Sequence, residues 1–530
     1  GILGGTGTIN NTVTTASGGV FAPGNSIGTI TVNGSLAFSA GSIYRVEVDA
    51  AGNADRINVT GTPGTATIDG GTVDVQAGAG TYQANTQYTI LDATGGVTGT
   101  FADVTSNLAF LTPTLAYDAN SVMLALARND LSFASAAATP NQEAVATVLQ
   151  AASAGATGDL ATVVNTVTSL SAPQAQAAFD SIGGASLIAL RRAGTAFAGG
   201  FGQQLNRQLG LIASNESARQ TAAFGSPLQL AANDWFADAQ PVYAQAGAPS
   251  GSLAQDNARG MWLRAYGADN RTDGDANAAG DTLRSGGITL GADTEVRDGL
   301  VLGVAATTGT SHLSFDGISD TGRSRGTALG VYASYVAGPW TYKGIAGTAW
   351  NANHMDRNVM VGAIARSATS DFDSRSQSLY AEASYDIQQT GFMLQPLAAL
   401  SYVRTQTDGY TETGAGALDL QVSEQTTEST RTLLGAKTVH ELGRLKLEPR
   451  LLWAHEFGNV NAPLSASLAA APAAGSFQVS GVALKRDSVI LGFGVSGELR
   501  KGISLYADAQ METNSRQRNT ALFLGLRGVW

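Results

Sequence analysis

The stretch Leu445-Lys446-Leu447-Glu448-Pro449-Arg450-Leu451-Leu452-Trp453 decides how the C-terminal half is read. In an extended chain Lys446, Glu448 and Arg450 share one face, and Leu445, Leu447, Leu451 and Trp453 take the other. The alternation continues downstream. Val489, Leu491, Phe493 and Val495 oppose Ile490, Gly492, Gly494, Ser496 and Glu498. Leu505, Ala507, Ala509 and Met511 oppose Tyr506, Asp508, Gln510 and Glu512.

By the same alternation, residues 259–530 read as twelve strands: Met261–Asp269, Ser285–Val296, Leu300–Thr310, Arg325–Ala337, Trp340–Asn351, Ser374–Gln388, Phe392–Thr407, Ser429–His440, Leu445–Asn459, Ala483–Arg500, Ile503–Glu512 and Thr520–Trp530. The joins after even-numbered strands are tight, such as Arg297-Asp298-Gly299, Gly338-Pro339 and Lys501-Gly502. Those after odd-numbered strands are long, such as Asn270–Arg284 and Val460–Val482, with Thr513–Asn519 the shortest. Alternating short and long joins over an even strand number predict an outer-membrane barrel. A Lys or Arg facing lipid at mid-depth costs ~2–4 kcal/mol, so the charged face belongs in the lumen. Lys446, Glu448, Arg450, Glu382, Glu498, Asp508 and Arg527 are the expected pore-lining residues. Aromatics near strand ends (Tyr335, Trp340, Tyr342, Trp350, Tyr385, Phe392, Tyr402, Trp453, Tyr506, Trp530) fit interfacial girdles.

Composition agrees. The 530 residues include 65 Gly and no Cys, only 14% are charged, and the formal net charge is −11. An acidic chain without a basic run argues against nucleic-acid binding. The lack of Cys excludes thiol nucleophiles and Cys-ligated metal. No run of ~18 apolar residues provides a transmembrane helix, which leaves strands as the way to cross a membrane.

The N-terminal third is different text. Residues 1–130 alternate short β-rich runs with Gly, Asn and Asp turns, as in Ile43-Tyr44-Arg45-Val46-Glu47-Val48. A stacked β-helix and a sandwich both fit the spacing, and the repeat-like turns favour the β-helix. Gly1-Ile2-Leu3-Gly4-Gly5 has no initiator Met and no apolar leader, and it reads as the middle of a repeat from a longer precursor. Residues 131–258 are richer in Ala and Gln, with helices expected over Asn141–Ala152, Ala172–Ser181 and Ala185–Ala213. In the third, Leu187, Leu190, Gly194, Phe197, Phe201, Leu205 and Leu209 form a stripe, with Arg191, Gln203, Gln204 and Arg207 off it. The polar stretch Asn215–Asn257 reads as a linker.

Two motif matches fail on context. Gly24-Asn25-Ser26-Ile27-Gly28 fits the nucleophile-elbow pattern, but all four His (His312, His354, His440, His455) are distant in sequence. Gly492-Phe493-Gly494-Val495-Ser496-Gly497 fits a dinucleotide fingerprint but lies inside an expected strand. No catalytic, cofactor or metal site is expected.

The final strand places Leu522, Leu524, Leu526, Gly528 and Trp530 on one face, with Phe523, Gly525, Arg527 and Val529 opposite. An apolar row ending on an aromatic carboxy-terminus is an open edge until the barrel closes.

These pieces together resemble the C-terminal part of a type V autotransporter, a self-exporting protein of Gram-negative bacteria. Phe21–Ile30, Tyr44–Val48 and Asp55–Gly61 with Gly70-Gly71-Thr72-Val73 are similar to the end of that family's β-helical passenger. Met261-Trp262-Leu263-Arg264-Ala265-Tyr266-Gly267 through Trp530 is similar to its translocator barrel. The resemblance implies an all-β chain with a helical linker: the end of a right-handed parallel β-helix followed by a 12-stranded antiparallel outer-membrane barrel. It implies an autochaperone-like passenger end at 1–130, a linker with a pore-plugging helix at 131–258, and a translocator barrel at 259–530. Arg191, Arg192, Arg207 and Gln203 are the expected pore-helix residues, the three arginines pairing with Glu448, Glu382, Asp508 or Glu498. Leu522, Leu524, Leu526 and Trp530 are the expected barrel-assembly signal. Gly528 stands where the family often has an aromatic, and the linker has no Asn-Asn pair of the kind at which some members are cut.

The implied function is export and anchoring of the chain's own passenger at the cell surface. The implied partners are outer-membrane lipid, the barrel-assembly machinery and periplasmic chaperones, with the protein a monomer and any passenger activity upstream. A general porin and an adhesin stem on a passive anchor are the alternatives. The absence of Cys suits unfolded passage through a narrow pore.

Overall fold

The structure is a computed structural model that describes residues 1–83, 85–223 and 259–530. Twelve antiparallel strands form the barrel: β1 (Arg259–Thr272), β2 (Asp281–Arg297), β3 (Leu300–Phe315), β4 (Thr321–Ala337), β5 (Trp340–Val361), β6 (Ile364–Tyr385), β7 (Phe392–Thr407), β8 (Gln425–Leu442), β9 (Leu445–Glu456), β10 (Asp487–Arg500), β11 (Ile503–Thr513) and β12 (Gln517–Val529). Each pairs with its sequence neighbours. β12 closes on β1 in a ladder from Gly260↔Val529 to Thr272↔Gln517. Trp530 extends this ladder, exchanging backbone hydrogen bonds of 3.0 and 3.1 Å with Arg259.

The period of two explains the closure. Outward positions such as Val304, Leu329, Leu379, Leu451 and Leu524 stand exposed on the outer face, where lipid takes the place of water. Trp340, Tyr342 and Tyr385 cluster at the short-turn end of that face, with the rings of Trp340 and Tyr342 stacked 6.1 Å apart. Tyr506 departs from the expected girdle: it is buried and faces inward, hydrogen-bonded to Arg264 at 3.0 Å.

The join after the fifth strand also departs from expectation. β5 and β6 continue pairing to Val361↔Ile364 and turn at Gly362, whose φ is +57°. Their outer portions bury Met355, Val359, Val361 and Phe372 in a second core beyond the lumen. The joins after β7 and β9 fold as well, supplying Tyr410–Thr411, Leu420–Val422, Leu464–Leu468 and Ser476–Val479 to a small antiparallel sheet.

Against that sheet pack three helices, α1 (Pro140–Ser153), α2 (Gly158–Thr168) and α3 (Ala172–Gly183). Thr139 and Gln142 form a capping box on α1, and Ser171 with Gln174 does the same for α3. The sequence reading missed α2, whose run of Thr and Val has weak intrinsic helix preference. It forms because Leu160, Val163 and Val167 are buried against its neighbours. Gly184 follows α3 with φ +66°, a left-handed conformation that glycine adopts readily. There the chain turns into α4 (Ser186–Ala223). The expected linker Asn215–Asn257 lies outside the described residues beyond Ala223.

Residues 1–128 form three parallel sheets stacked coil upon coil. Phe21 lies over Tyr44, Tyr44 beside Val73 and Val73 beside Val104 on one face, while Ile30, Ile57 and Leu91 align on another. This is the β-helix reading rather than the sandwich. An antiparallel hairpin, Leu111–Tyr117 with Ser121–Arg128, ends the stack, as a terminal cap must if the last coil's edge is to be covered. The solenoid abuts the helices: the backbone N–H of Tyr82 donates to Ser169 Oγ at 2.9 Å, and that of Ala109 to the Leu170 carbonyl at 2.9 Å.

Candidate functional site in the barrel lumen

α4 runs inside the barrel. Its first turns lie at the long-loop end, where Arg191 donates to Gln425 and to the carbonyls of Ala462 and Pro463. Its later turns approach the short-turn end, where Gln208 donates to Asp293 at 3.1 Å. The apolar stripe read from the sequence faces one wall. Ala198, Phe201, Leu205 and Leu209 pack with Ala305, Ala328, Ile345, Ala349 and Val403. Phe197 settles over glycines: a Cβ on Gly326 would lie 2.6 Å from its ring.

Away from that stripe α4 carries Gly199 and Gly200, with Gly202 at the stripe's edge, each with open space where a Cβ would stand. They border a cavity of about 480 Å³ lined on its far side by Arg450, Glu448, Asp508 and Gln510. The helix therefore lies against β3–β7 and leaves the β8–β12 side of the lumen partly open.

The expected pore-lining residues fall as follows. Arg450 makes two 2.7 Å bonds to Asp508, which also lies 2.7 Å from Arg207. Glu382 pairs with Lys343 at 2.7 Å and accepts from Asn206 at 3.1 Å. Glu448 lies 3.7 Å from Lys437, and Lys446 lies 3.3 Å from Glu441 near the turn. Arg527 lies 2.5 Å from the buried Asp293. Glu498 is exposed at the short-turn end and accepts from the Gly502 backbone N–H at 3.0 Å.

On the helix, Arg207 finds one of its expected acids. Arg192 pairs instead with Asp281, and Arg191 is held by Gln425 and two carbonyls rather than by Glu448, Glu382 or Glu498. Which wall residue a helix side chain meets depends on the helix's rotation in the pore, which strand alternation leaves open. Gln203 accepts from Gln510 at 3.5 Å. Leu522, Leu524 and Leu526 stand exposed on the outer face of β12, with Trp530 at its end.

The sequence reading missed the inward-facing aromatics. Trp262 covers Gly291, Tyr332 covers Gly303 and Tyr506 covers Gly525, each so closely that a Cβ would lie 2.0–2.3 Å from the ring. Trp262 Nε1 donates to Tyr332 Oη at 2.7 Å, and Tyr332 Oη donates to Asp293 at 3.2 Å. Asp293 thus gathers Arg527, Tyr332 and the helix residue Gln208. The available signal was the pairing of an inward aromatic with a glycine on the neighbouring strand. The glycines of Gly492–Gly497 have the same logic, since a Cβ on Gly492 would strike Arg450 at 2.2 Å. Among the described residues no cluster of His, Asp and Glu is arranged to hold a metal ion.

Residues 261–510 match the Autotransporter beta-domain family. Two extracellular serine proteases of Serratia marcescens are 28% and 26% identical over 98% and 95% of this chain, covering 51% and 49% of their own lengths. The chain therefore spans about half the length of the curated relatives it matches. The solved translocator domain of the autotransporter NalP from Neisseria meningitidis is 16% identical, with TM-score 0.43 over 51% of this chain and 88% of its own. The β-domain of the Bordetella autotransporter BrkA is 18% identical, with TM-score 0.40 over 52% of this chain and 100% of its own. The region that matches the autotransporter β-domain family, residues 261–510, falls within the closed twelve-stranded barrel.

Proposed function

We propose that residues 259–530 form an outer-membrane translocator that exports the chain N-terminal to it and then holds that chain at the cell surface, with α4 occupying the pore. The observation carrying this reading is the route of the chain. Residues 1–183 lie at the long-loop end, α4 passes through the lumen, and β1 begins at the short-turn end beside Trp530. In an outer-membrane barrel the long loops face outside, so this is the arrangement left when a chain has crossed its own pore. Stacking of successive solenoid coils outside would oppose back-sliding without a nucleotide. In this reading the barrel is a conduit and an anchor, and an enzymatic activity like that named for the Serratia proteases would reside in a passenger.

Because the sequence contains no Cys, single cysteines report topology without background. Ala51→Cys, in an exposed solenoid loop, should react with a membrane-impermeant maleimide on intact cells. Lys501→Cys, in a short turn, should react only after permeabilisation. Labelling of Lys501→Cys on intact cells, or of Ala51→Cys only after permeabilisation, would overturn the proposal.

A further inference from the structure

The outer wall of β4–β6 carries unusual charge for a surface that meets lipid. On β4 the outward residues run Arg323, Arg325, Thr327, Leu329 and Val331. Leu329 and Val331 belong to the apolar band, and Arg325 stands directly above it. On β5 the outward face rises from Tyr342 at the short-turn end to Trp350, and on β6 Arg375 lies opposite Trp350 with its guanidinium 5.9 Å from the indole centre. Tyr342 and Trp350 are eight residues apart, about 27 Å along a strand, which with the usual tilt matches an apolar band ~25 Å tall. The three arginines therefore sit at the outer edge of that band, where headgroups begin.

None of them is committed to a carboxylate. Arg323, Arg325 and Arg375 are all exposed and have no ion pair or side-chain hydrogen bond among the described residues. The nearby Asp371 is engaged by His354 at 2.8 Å, which leaves Asp373 as the acid on the same face of β6. Below Arg375 a shallow apolar groove descends the outer wall. Its floor is made of small residues, Ala346 and Thr348 of β5, between ridges formed by Leu329, Leu379 and Tyr402. An apolar trench that opens upward onto unpaired guanidinium groups is complementary to a molecule with hydrocarbon chains below and phosphate above.

We propose that this face binds a phosphorylated lipid of the outer leaflet, an acyl chain lying in the groove over Ala346 and Thr348 and its phosphate bridged by Arg323, Arg325 and Arg375. Arginine suits the role because its fork of N–H donors matches phosphate oxygens two at a time. The proposal rests on the outer-membrane reading above, because it needs this wall to face lipid with its long-loop end outward.

The test uses the full chain folded in a non-ionic detergent, with bis-phosphorylated lipid A, its dephosphorylated form and inorganic phosphate as separate probes in native mass spectrometry. Bis-phosphorylated lipid A should bind at least about tenfold more tightly than the dephosphorylated form. The triple variant Arg323→Gln/Arg325→Gln/Arg375→Gln should lose that preference. Leu329→Ala with Leu379→Ala should weaken both lipids and spare the phosphate preference. Equal binding of the two lipids, unchanged preference in the triple variant, or capture of inorganic phosphate as strongly as of the lipid would overturn the proposal. Flotation of each variant with phosphatidylcholine vesicles tests the membrane reading separately: a chain that floats but shows no preference refutes the lipid site alone.

Discussion

Arg207 of α4 lies 2.7 Å from Asp508 of β11, and the same carboxylate is gripped by both terminal nitrogens of Arg450 from β9. One acid thus helps fasten the helix to the wall that α4 leaves partly open, beside the contacts of Gln203 and Arg207 with Gln510 and of Arg191 with Gln425. Asp508→Asn would strand two largely buried guanidinium groups, for which losses of about 3–5 kcal/mol are usual. Tryptic cleavage after Arg207 in the detergent-folded protein should quicken, while the barrel keeps its compact mobility in unheated gels. Cleavage at the wild-type rate would show that the Asp508 link does not hold the helix.

The other wall holds the helix by shape. Phe197 fits over Gly326, where a Cβ would come within 2.6 Å of the ring and 2.5 Å of Asn351 Oδ1. Gly326→Val should displace Phe197 at a cost of about 1–3 kcal/mol, the usual penalty for overpacking. Single-channel recordings should then show a larger and noisier conductance than the wild-type chain gives. Gly344→Ala is the control, since nothing lies within 4 Å of the position its Cβ would take.

These two attachments show why part of the site was legible and part was not. Lys446, Glu448 and Arg450 could be placed inward from the sequence because lipid makes the alternative costly, and that rule acts strand by strand. The same rule located all twelve strands. It says nothing about Arg192 and Asp281, which meet only because α4 has a particular rotation and depth. It is equally silent on Trp262 over Gly291, because an inward aromatic violates the simple apolar-out pattern and is explained only by the hole beside it. The cap around Met355 and Leu420 draws on helices and on three distant stretches of loop and hairpin. Each stretch alone reads as a polar or Ala/Gly-rich connection, so its core appears only when all are assembled.

In the solenoid, Asp55 is buried and accepts the backbone N–H groups of Gly28 and Glu47, each at 2.8 Å. Burial pushes its carboxyl up to about 6, against the pull of those two donors, and the nearby Glu47 carboxylate adds to the rise. The folded state then holds the proton more tightly than the unfolded chain does. Its contribution to stability is greatest below the ordinary carboxylate range, declines as pH rises from about 4 to about 6 and is constant above, a change on the order of 3 kcal/mol. Amide exchange at Gly28 and Glu47 in the full chain, corrected for its intrinsic pH dependence, should show protection falling across that window. Asp55→Ala should remove the pH dependence, and a persisting slope would assign it to another group.

The cap offers a sharper contrast. Arg357 of β5 and Glu412, both about 1% exposed, pair through Nη2–Oε2 at 2.5 Å and Nε–Oε1 at 2.9 Å. Arg357 Nη1 also donates to the Ser181 carbonyl at the end of α3, at 2.6 Å. The pair thereby ties a barrel hairpin, a surface loop and the last helix before the chain turns into the lumen. Glu412→Gln leaves the guanidinium buried without its counter-charge and should cost about 3–5 kcal/mol, whereas replacing both partners with apolar residues of similar volume is often neutral. Protease digestion of the folded protein should therefore cut between Ser181 and Ser186 in Glu412→Gln. The double variant Arg357→Met/Glu412→Leu should resist nearly as well as wild type. If the double variant is cut as fast as the single one, the hydrogen bond to Ser181, rather than charge balance, is what holds the cap on the barrel.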